Sequence, residues 1–339
     1  MLNAIPLAAS LGDKIDSSFF SFDSSIFTFF GNMQSGFLTV IAKFFTAIGD
    51  EKFMIPFVLL AAVLCLFKRT RKYGFAVIFA MMVGTLLTNL WLKPMVLRIR
   101  PYNTMQTTAL KDQFMKWYAA AGSLSESDYS FPSGHTTSAF EVATALVICL
   151  VKGKKGKFAW ILPLVAIGTM CSRVYLMVHY PTDVIAGALV GTLAGVIGYL
   201  LAMFACYVAG KVKFLDAIDL EKLFKKGINL KACGALFAVA TLVLLGIAFG
   251  RILVEKDEVK CAYSREYDCQ NKARVGEDKY PAIDGENYCK IHWKQIAAEK
   301  ASGVDGVENS DIDIPLIEED GSAEEISEAP AVPETAEAA

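Results

Sequence analysis

Charge is scarce in this chain and histidine scarcer still: 339 residues carry 33 Lys and Arg, 35 Asp and Glu, and three His. Hydrophobic residues make up 54% and are clumped into runs instead of being spread at helical or strand period, which excludes an ordinary soluble domain and points to a membrane protein. The opening "MLNAIPLAASLGDKIDSS" lacks a basic start, an apolar stretch and a small-residue cleavage site. No cleavable signal peptide is expected, and insertion falls to internal segments. A net charge is missing too: the sum is −2, because basic clusters between the apolar runs offset an acidic C-terminal stretch, so the balance says nothing about partners. Five of the eight cysteines (Cys65, Cys149, Cys171, Cys206, Cys233) lie within apolar runs, where a thiol behaves as a small hydrophobe.

What is present is a set of long greasy segments. A spanning helix needs about 20 mostly apolar residues to cross a core of roughly 30 Å. Runs at 53–67, 74–92, 137–151, 158–172, 184–210 and 232–250 predict an all-α fold, a polytopic membrane bundle of six transmembrane helices. The run 26–49 carries only Lys43 but is broken by "GNMQSG", leaving open a further crossing or an amphipathic helix in the interface. The chain then divides into an N-terminal segment (1–52), a membrane core (53–210), a basic connection (211–231), an extra helix (232–250), a small Cys/His segment (251–301) and an acidic, disordered tail (302–339). "KRTRK" (68–72), "KGKKGK" (152–157) and the Lys-rich 211–231 fall on one side if the spans alternate. By the positive-inside rule that side is cytoplasmic, in a multi-pass cell-membrane protein. "KGKKGK" reads as a topology signal and anionic-lipid contact; no nucleic-acid partner is expected.

Three polar junctions face the opposite, outer side: "KPMVLRIRP" (93–101), "FPSGHTTSAFE" (131–141) and "SRVYLMVHYPTD" (172–183). They hold His135 and His179, each near a proline (Pro132, Pro181) suited to the first turn of a helix. Helix N-termini favour anions. Ser133, Gly134, Lys93, Arg100 and Arg173 add a hydroxyl, a close-approach amide and three cations, which together read as a phosphate cradle. Phosphate transfer needs a nucleophile, charge neutralisation and an acid for the leaving oxygen. His179 and Asp183, four residues apart, share a helix face, so the carboxylate can hold one ring nitrogen protonated and leave the other free to attack. His135 can then protonate the leaving alkoxide.

The three junctions together resemble the signature of the type 2 phosphatidic acid phosphatases, a superfamily that also holds bacterial lipid-diphosphate phosphatases and vanadium haloperoxidases. The resemblance covers residues 50–210, with all three motifs complete and in order. It implies that His179 forms a phosphohistidine, that Asp183 orients it, that His135 is the general acid, and that Lys93, Arg100, Ser133, Gly134 and Arg173 bind phosphate. It further implies a lipid phosphate monoester or diphosphate as substrate (undecaprenyl diphosphate, phosphatidylglycerophosphate or phosphatidic acid), the bilayer as partner, no cofactor, and no metal in the active site. Arg98 has no counterpart in the motif and reads as a headgroup contact. The loop 98–131, with Tyr102, Trp117 and Tyr118, is expected to act as a lid or headgroup reader. Two rivals stand beside this reading. One is a vanadate-dependent haloperoxidase using the same cradle, disfavoured by the six spans and the lack of a soluble catalytic domain. The other is a non-catalytic lipid-binding or transport protein, disfavoured by the intact motifs.

Glu141 and Asn89 lie inside spans; Glu141 either lines the site or makes a packing contact. Gly187, Gly191 and Gly195 recur at four-residue spacing, a signature of close helix packing. In the polar tail, Cys261, Cys269, Cys289 and His292 have the makings of a Cys3His zinc module, with a disulfide and one spare thiol as the competing reading.

Overall fold

The computed structural model describes residues 10–126, 128–212 and 230–253, with short pieces and scattered positions beyond. Helix α1 (Leu11–Asn32) begins at a capping box: the Ser10 hydroxyl accepts from the Asp13 N–H while the Asp13 carboxylate accepts from the Ser10 N–H. Met33, Gln34 and Ser35 break the chain before α2 (Gly36–Gly49), so the ambiguous 26–49 run is two helices, not one crossing. At 14 residues, α2 is about 21 Å long, short of the hydrocarbon core. The break is tied down by a residue far along the chain. Gln34 Nε2 donates to the Tyr175 carbonyl, and the Ser35 N–H donates to the Tyr175 hydroxyl.

Helix α3 (Glu51–Cys65) leads into α4 (Arg71–Thr85), which continues through a π-helical stretch (Leu86–Leu92) into α5 (Lys93–Val96). The wider turn rotates α5 relative to the face that α4 presents. Two short helices, α6 (Pro101–Thr104) and α7 (Lys111–Ala120), precede α8 (Gly134–Lys152), α9 (Ile161–Tyr175) and α10 (Pro181–Lys211). Beyond them lie α11 (Leu230–Leu253) and a small antiparallel pair, β1 (Glu258–Lys260) with β2 (Lys272–Arg274).

Among the described residues, four stretches are long and apolar enough to cross a bilayer: Arg71–Thr104, Gly134–Lys152, Gly156–Tyr175 and Pro181–Lys211. The expected six also include the runs 53–67 and 232–250, which are helical in α3 (15 residues) and α11 (24 residues); the described residues establish four of the six as long spans. Side chains pointing outward from the bundle, among them Leu59, Leu90, Leu164, Leu189 and Phe204, are apolar and exposed. That is the surface expected where lipid chains replace water.

Helix α10 is the hub, packed along both α4 and α8. A Cβ added at Gly187, Gly191 or Gly195 would lie 2.8, 2.4 and 2.6 Å from the carbonyl oxygens of Ser133, Thr137 and Glu141 respectively. Glycine there lets the two backbones touch. Beside this bundle, α1, α7 and the 174–180 turn enclose a second core in which Phe27 meets Phe114 edge to face (5.1 Å). Tyr102 stacks on Tyr118 at 4.9 Å in the same core. Tyr102, Trp117 and Tyr118 are therefore buried packing residues, which corrects their expected role as headgroup readers. The basic ends of α4 and α8 meet at the far side of the bundle, where Lys72 Nζ would come within 3.3 Å of a Cβ at Gly153.

Candidate active site

All three polar junctions converge at one end of the bundle. The first is aimed by the chain turn at Leu97, whose left-handed backbone (φ 56°) ends α5 and sends Arg98 and Arg100 inward. Such a conformation costs of order 1 kcal/mol for a branched residue and persists where packing imposes it. The second junction is set by α8, whose N-cap is Ser133: its Oγ accepts from Thr136 Oγ1 at 3.1 Å. Pro132 precedes that cap and so lies outside the helix, not in its first turn; Pro181 does open α10. The third repeats the device of the first. Helix α9 stops at Tyr175 and Met177 turns left-handed (φ 57°), which leaves Arg173 in the last helical turn and brings His179 back toward the bundle. A hydrogen bond from the Ser133 N–H to the Asp183 carbonyl (3.1 Å) links the second and third junctions.

His179 is buried, and its two nitrogens face different surroundings. Nδ1 lies 3.4 Å from Asp183 Oδ2 and 3.3 Å from Ser130 Oγ. Ser130 also donates to Asp183 Oδ2, and the Tyr180 N–H donates to the same oxygen at 3.0 Å. Nε2 faces Arg100 Nη1 at 3.1 Å and Glu126 Oε2 at 3.9 Å. Burial, with the Arg100 guanidinium beside it, pushes the His179 imidazole down to about 3, so the ring is neutral near pH 7.

The cations surround a single point. Glu126 reaches Arg100 Nη2 at 2.6 Å, pairs with Arg173, and lies 3.8 Å from His135 Nδ1 and 3.9 Å from His179 Nε2. Asp128 pairs with Lys93 and Arg100, and its backbone carbonyl accepts from Arg100 Nε at 2.9 Å. Burial would raise both carboxyls, yet Arg100 and Arg173 hold Glu126, and Lys93 and Arg100 hold Asp128, well below the usual carboxylate range. Gly134 leaves its open side toward Lys93, whose Nζ would be 3.9 Å from an added Cβ. Every cradle residue singled out in the sequence is thus near this point, except that the Ser133 hydroxyl is engaged in capping α8.

Several partners carried no motif. Asp50, the N-cap of α3, lies 3.8 Å from His135 Nε2; burial raises its carboxyl, but the bond and charge of His135 prevail and hold it at about 2. Thr46 of α2 accepts from Arg173. Ser130, Glu126 and Asp128 come from the loop before α8. Arg98 is not a headgroup contact: its side chain is fully buried and paired with Asp16, Asp23 and Asp183. Glu141 lies against Gly84 of α4 with Oε2 unpartnered, which favours the packing alternative over lining the site. The zinc candidates Cys261, Cys269 and Cys289 lie outside the described residues.

Comparison with known proteins places the chain in a family. The family model described as PAP2 superfamily matches residues 70–206. The chain is 33% identical to an undecaprenyl-diphosphatase of Sulfolobus acidocaldarius over 172 residues, which is 50% of this chain and 74% of that protein. It is 26% identical to a lipid A 4'-phosphatase of Bacteroides thetaiotaomicron over 53% of this chain and 76% of the relative. Among solved structures, a transmembrane PAP2-type phosphatidylglycerolphosphate phosphatase from Bacillus subtilis aligns with TM-score 0.44 and 26% identity, covering 56% of this chain and 88% of that one. This chain belongs to the PAP2 superfamily of membrane phosphatases.

Proposed function

We propose that this protein removes phosphate from a lipid phosphate monoester or diphosphate in two steps through His179. In the first, Nε2 attacks phosphorus, the N–P bond forms, and the P–O bond to the lipid breaks. His135 delivers a proton to the leaving oxygen. In the second, water attacks the phosphohistidine, His135 takes up the water's proton, and inorganic phosphate leaves with the His179 ring restored. Asp183 and Ser130 aim Nδ1; Asp50 steadies His135. Lys93, Arg100, Arg173 and the amide of Gly134 take the phosphoryl oxygens, so the charge is met by the protein's own groups.

The observation that carries this reading is Glu126. One carboxylate contacts two guanidiniums and lies between two imidazoles, which supports reading the site as a pocket for a compact anion with a nucleophile on one side and an acid on the other. Undecaprenyl diphosphate, phosphatidylglycerophosphate and phosphatidic acid all present such a group on an apolar tail, and the lipid would enter between helices from the side. The basic ends of α4 and α8 lie opposite the pocket, which by the positive-inside rule supports a multi-pass arrangement with the site on the outer face of the cell membrane.

Phosphate release from these three lipids in detergent micelles tests the reading. His179→Ala and Asp183→Ala should each abolish release while the protein stays monodisperse, and EDTA should leave the wild-type rate unchanged. Activity surviving in His179→Ala would overturn the mechanism.

A further inference from the structure

Arg98 is among the largest of the fully buried side chains, and the two-step reaction through His179 leaves it without a task. Its guanidinium has no freedom left. Nε donates to Asp16 Oδ1 (2.7 Å) and Nη2 to Asp23 Oδ2 (2.9 Å), both on α1. Nη1 donates to Thr182 Oγ1 (2.7 Å) and to Asp183 Oδ1 (2.5 Å). Its plane sits over the Tyr180 ring, 3.7 Å from the centroid. Thr182 closes the circuit by donating its N–H (3.0 Å) and Oγ1 (2.8 Å) to Asp23.

Asp183 shows what the arrangement does. Its Oδ2 is shared by the Tyr180 N–H, Ser130 and His179, while its Oδ1 is held by Arg98. A carboxylate anchored through one oxygen can still turn about its Cβ–Cγ bond; anchoring both fixes which lone pair faces the imidazole. The fit of α1 is close. A Cβ at Gly12 would lie 2.7 Å from Arg98 Cα, so the helix rests on the backbone that carries the arginine. Helix α1 lies wholly outside the family-matched residues 70–206.

We infer that Arg98, clamped by Asp23 and Asp16 of α1, is a positioning residue that fixes the Asp183 carboxylate against His179, so that the N-terminal helix completes the active site. This inference rests on the role proposed for His179. It assigns α1 a part in the chemical step and none in phosphate binding, since the partners of Arg98 are Asp16, Asp23, Thr182 and Asp183, not the phosphate cradle.

Full-length protein in detergent, assayed on the best of the three lipids, provides the test. Arg98→Lys and Asp23→Asn should each lower kcat about tenfold or more, with KM and the inhibition constant of inorganic phosphate within about twofold. Methylguanidine should restore part of the activity of Arg98→Ala, because it refills the vacated site. Wild-type kcat in folded Arg98→Lys and Asp23→Asn would overturn the inference. So would losses that track the folded fraction with no change per folded molecule. If Arg98 variants do not fold, Asp23→Asn, which keeps the shape while removing the charge and one acceptor oxygen, decides alone. Should His179→Ala stay active, the proposed function fails; should it be dead while Asp23→Asn is fully active, only the role of α1 fails.

Discussion

Two ionic clusters flank His179, and they are built on opposite plans. Around Arg98, three carboxylates share one guanidinium, and the side chains of Arg98, Asp23 and Asp183 are at most 1% exposed. Burial, partly countered by Arg98, pushes the Asp16 carboxyl up to about 6, so this anion-rich side can shed charge by taking a proton. Around Glu126 the balance is reversed: Lys93, Arg100 and Arg173 outnumber two carboxylates, whose side chains are 27% and 29% exposed. Every member of the first cluster sits on a helix or on the turn at Leu97. In the second the cations come from helices or helix ends, but the anions come from a loop. Under the proposed mechanism, one cluster holds geometry and the other holds an anion that phosphate replaces.

Removing Arg100 should break this contrast most severely, because it alone touches Glu126, Asp128, the Val178 carbonyl and His179 Nε2. Arg100→Ala is expected to lower kcat/KM by about 10³ or more, against about 10² for Lys93→Ala, as for loss of several rather than one oxyanion contact. Equal losses in steady-state assays would contradict the central position given to Arg100. Glu126→Gln sharpens the comparison in the opposite direction. With the competing charge gone, inorganic phosphate should inhibit about tenfold more strongly, roughly 1.4 kcal/mol of binding, while thermal stability in detergent falls. Unchanged phosphate inhibition would show that the loop anion is not exchangeable.

The smallest expected effect is on pH dependence. The His179 ring is pushed from its ordinary 6.5 to about 3 in the folded protein, so the unfolded chain binds the extra proton first. The stabilising contribution of the neutral ring is complete above 6.5 and is lost as pH falls toward 3. Wild-type melting temperature should therefore drop more steeply than that of His179→Gln between pH 6.5 and about 4, and parallel curves would show that the ring titrates normally.

The pocket's cations are legible in the sequence because the three junctions carry charge that has no other reason to lie among apolar runs, and topology alone sends them to one end. Glu126, Asp128, Ser130 and Asp50 are not. Acidic and hydroxyl residues in a polar loop or at a helix cap look like ordinary solvated surface, and nothing in "SLSESDYS" marks which oxygens turn inward. Arg98 misleads for a related reason: a basic residue at a membrane border suits a headgroup, and its true partners on α1, Asp16 and Asp23, lie some 80 residues earlier in a segment without a motif. The apolar runs are legible as helices, but their exact lengths are not: the run 53–67 forms a helix of 15 residues and stands outside the four long spans.

The glycines of α10 that meet α8 act as a gauge for the reaction itself. His135 opens one of these helices and Asp183 the other, so under the proposed mechanism the separation of the acid His135 from Asp183, which aims His179, is inherited from how closely two backbones lie below them. A methyl group at position 191 would start 2.4 Å from the Thr137 carbonyl oxygen and would have to push the helices apart by about 1 Å, a displacement that can cost about 10²-fold in rate when reacting groups move with it. A hydrogen atom two turns beneath the pocket thus serves as a spacer for the chemistry above it.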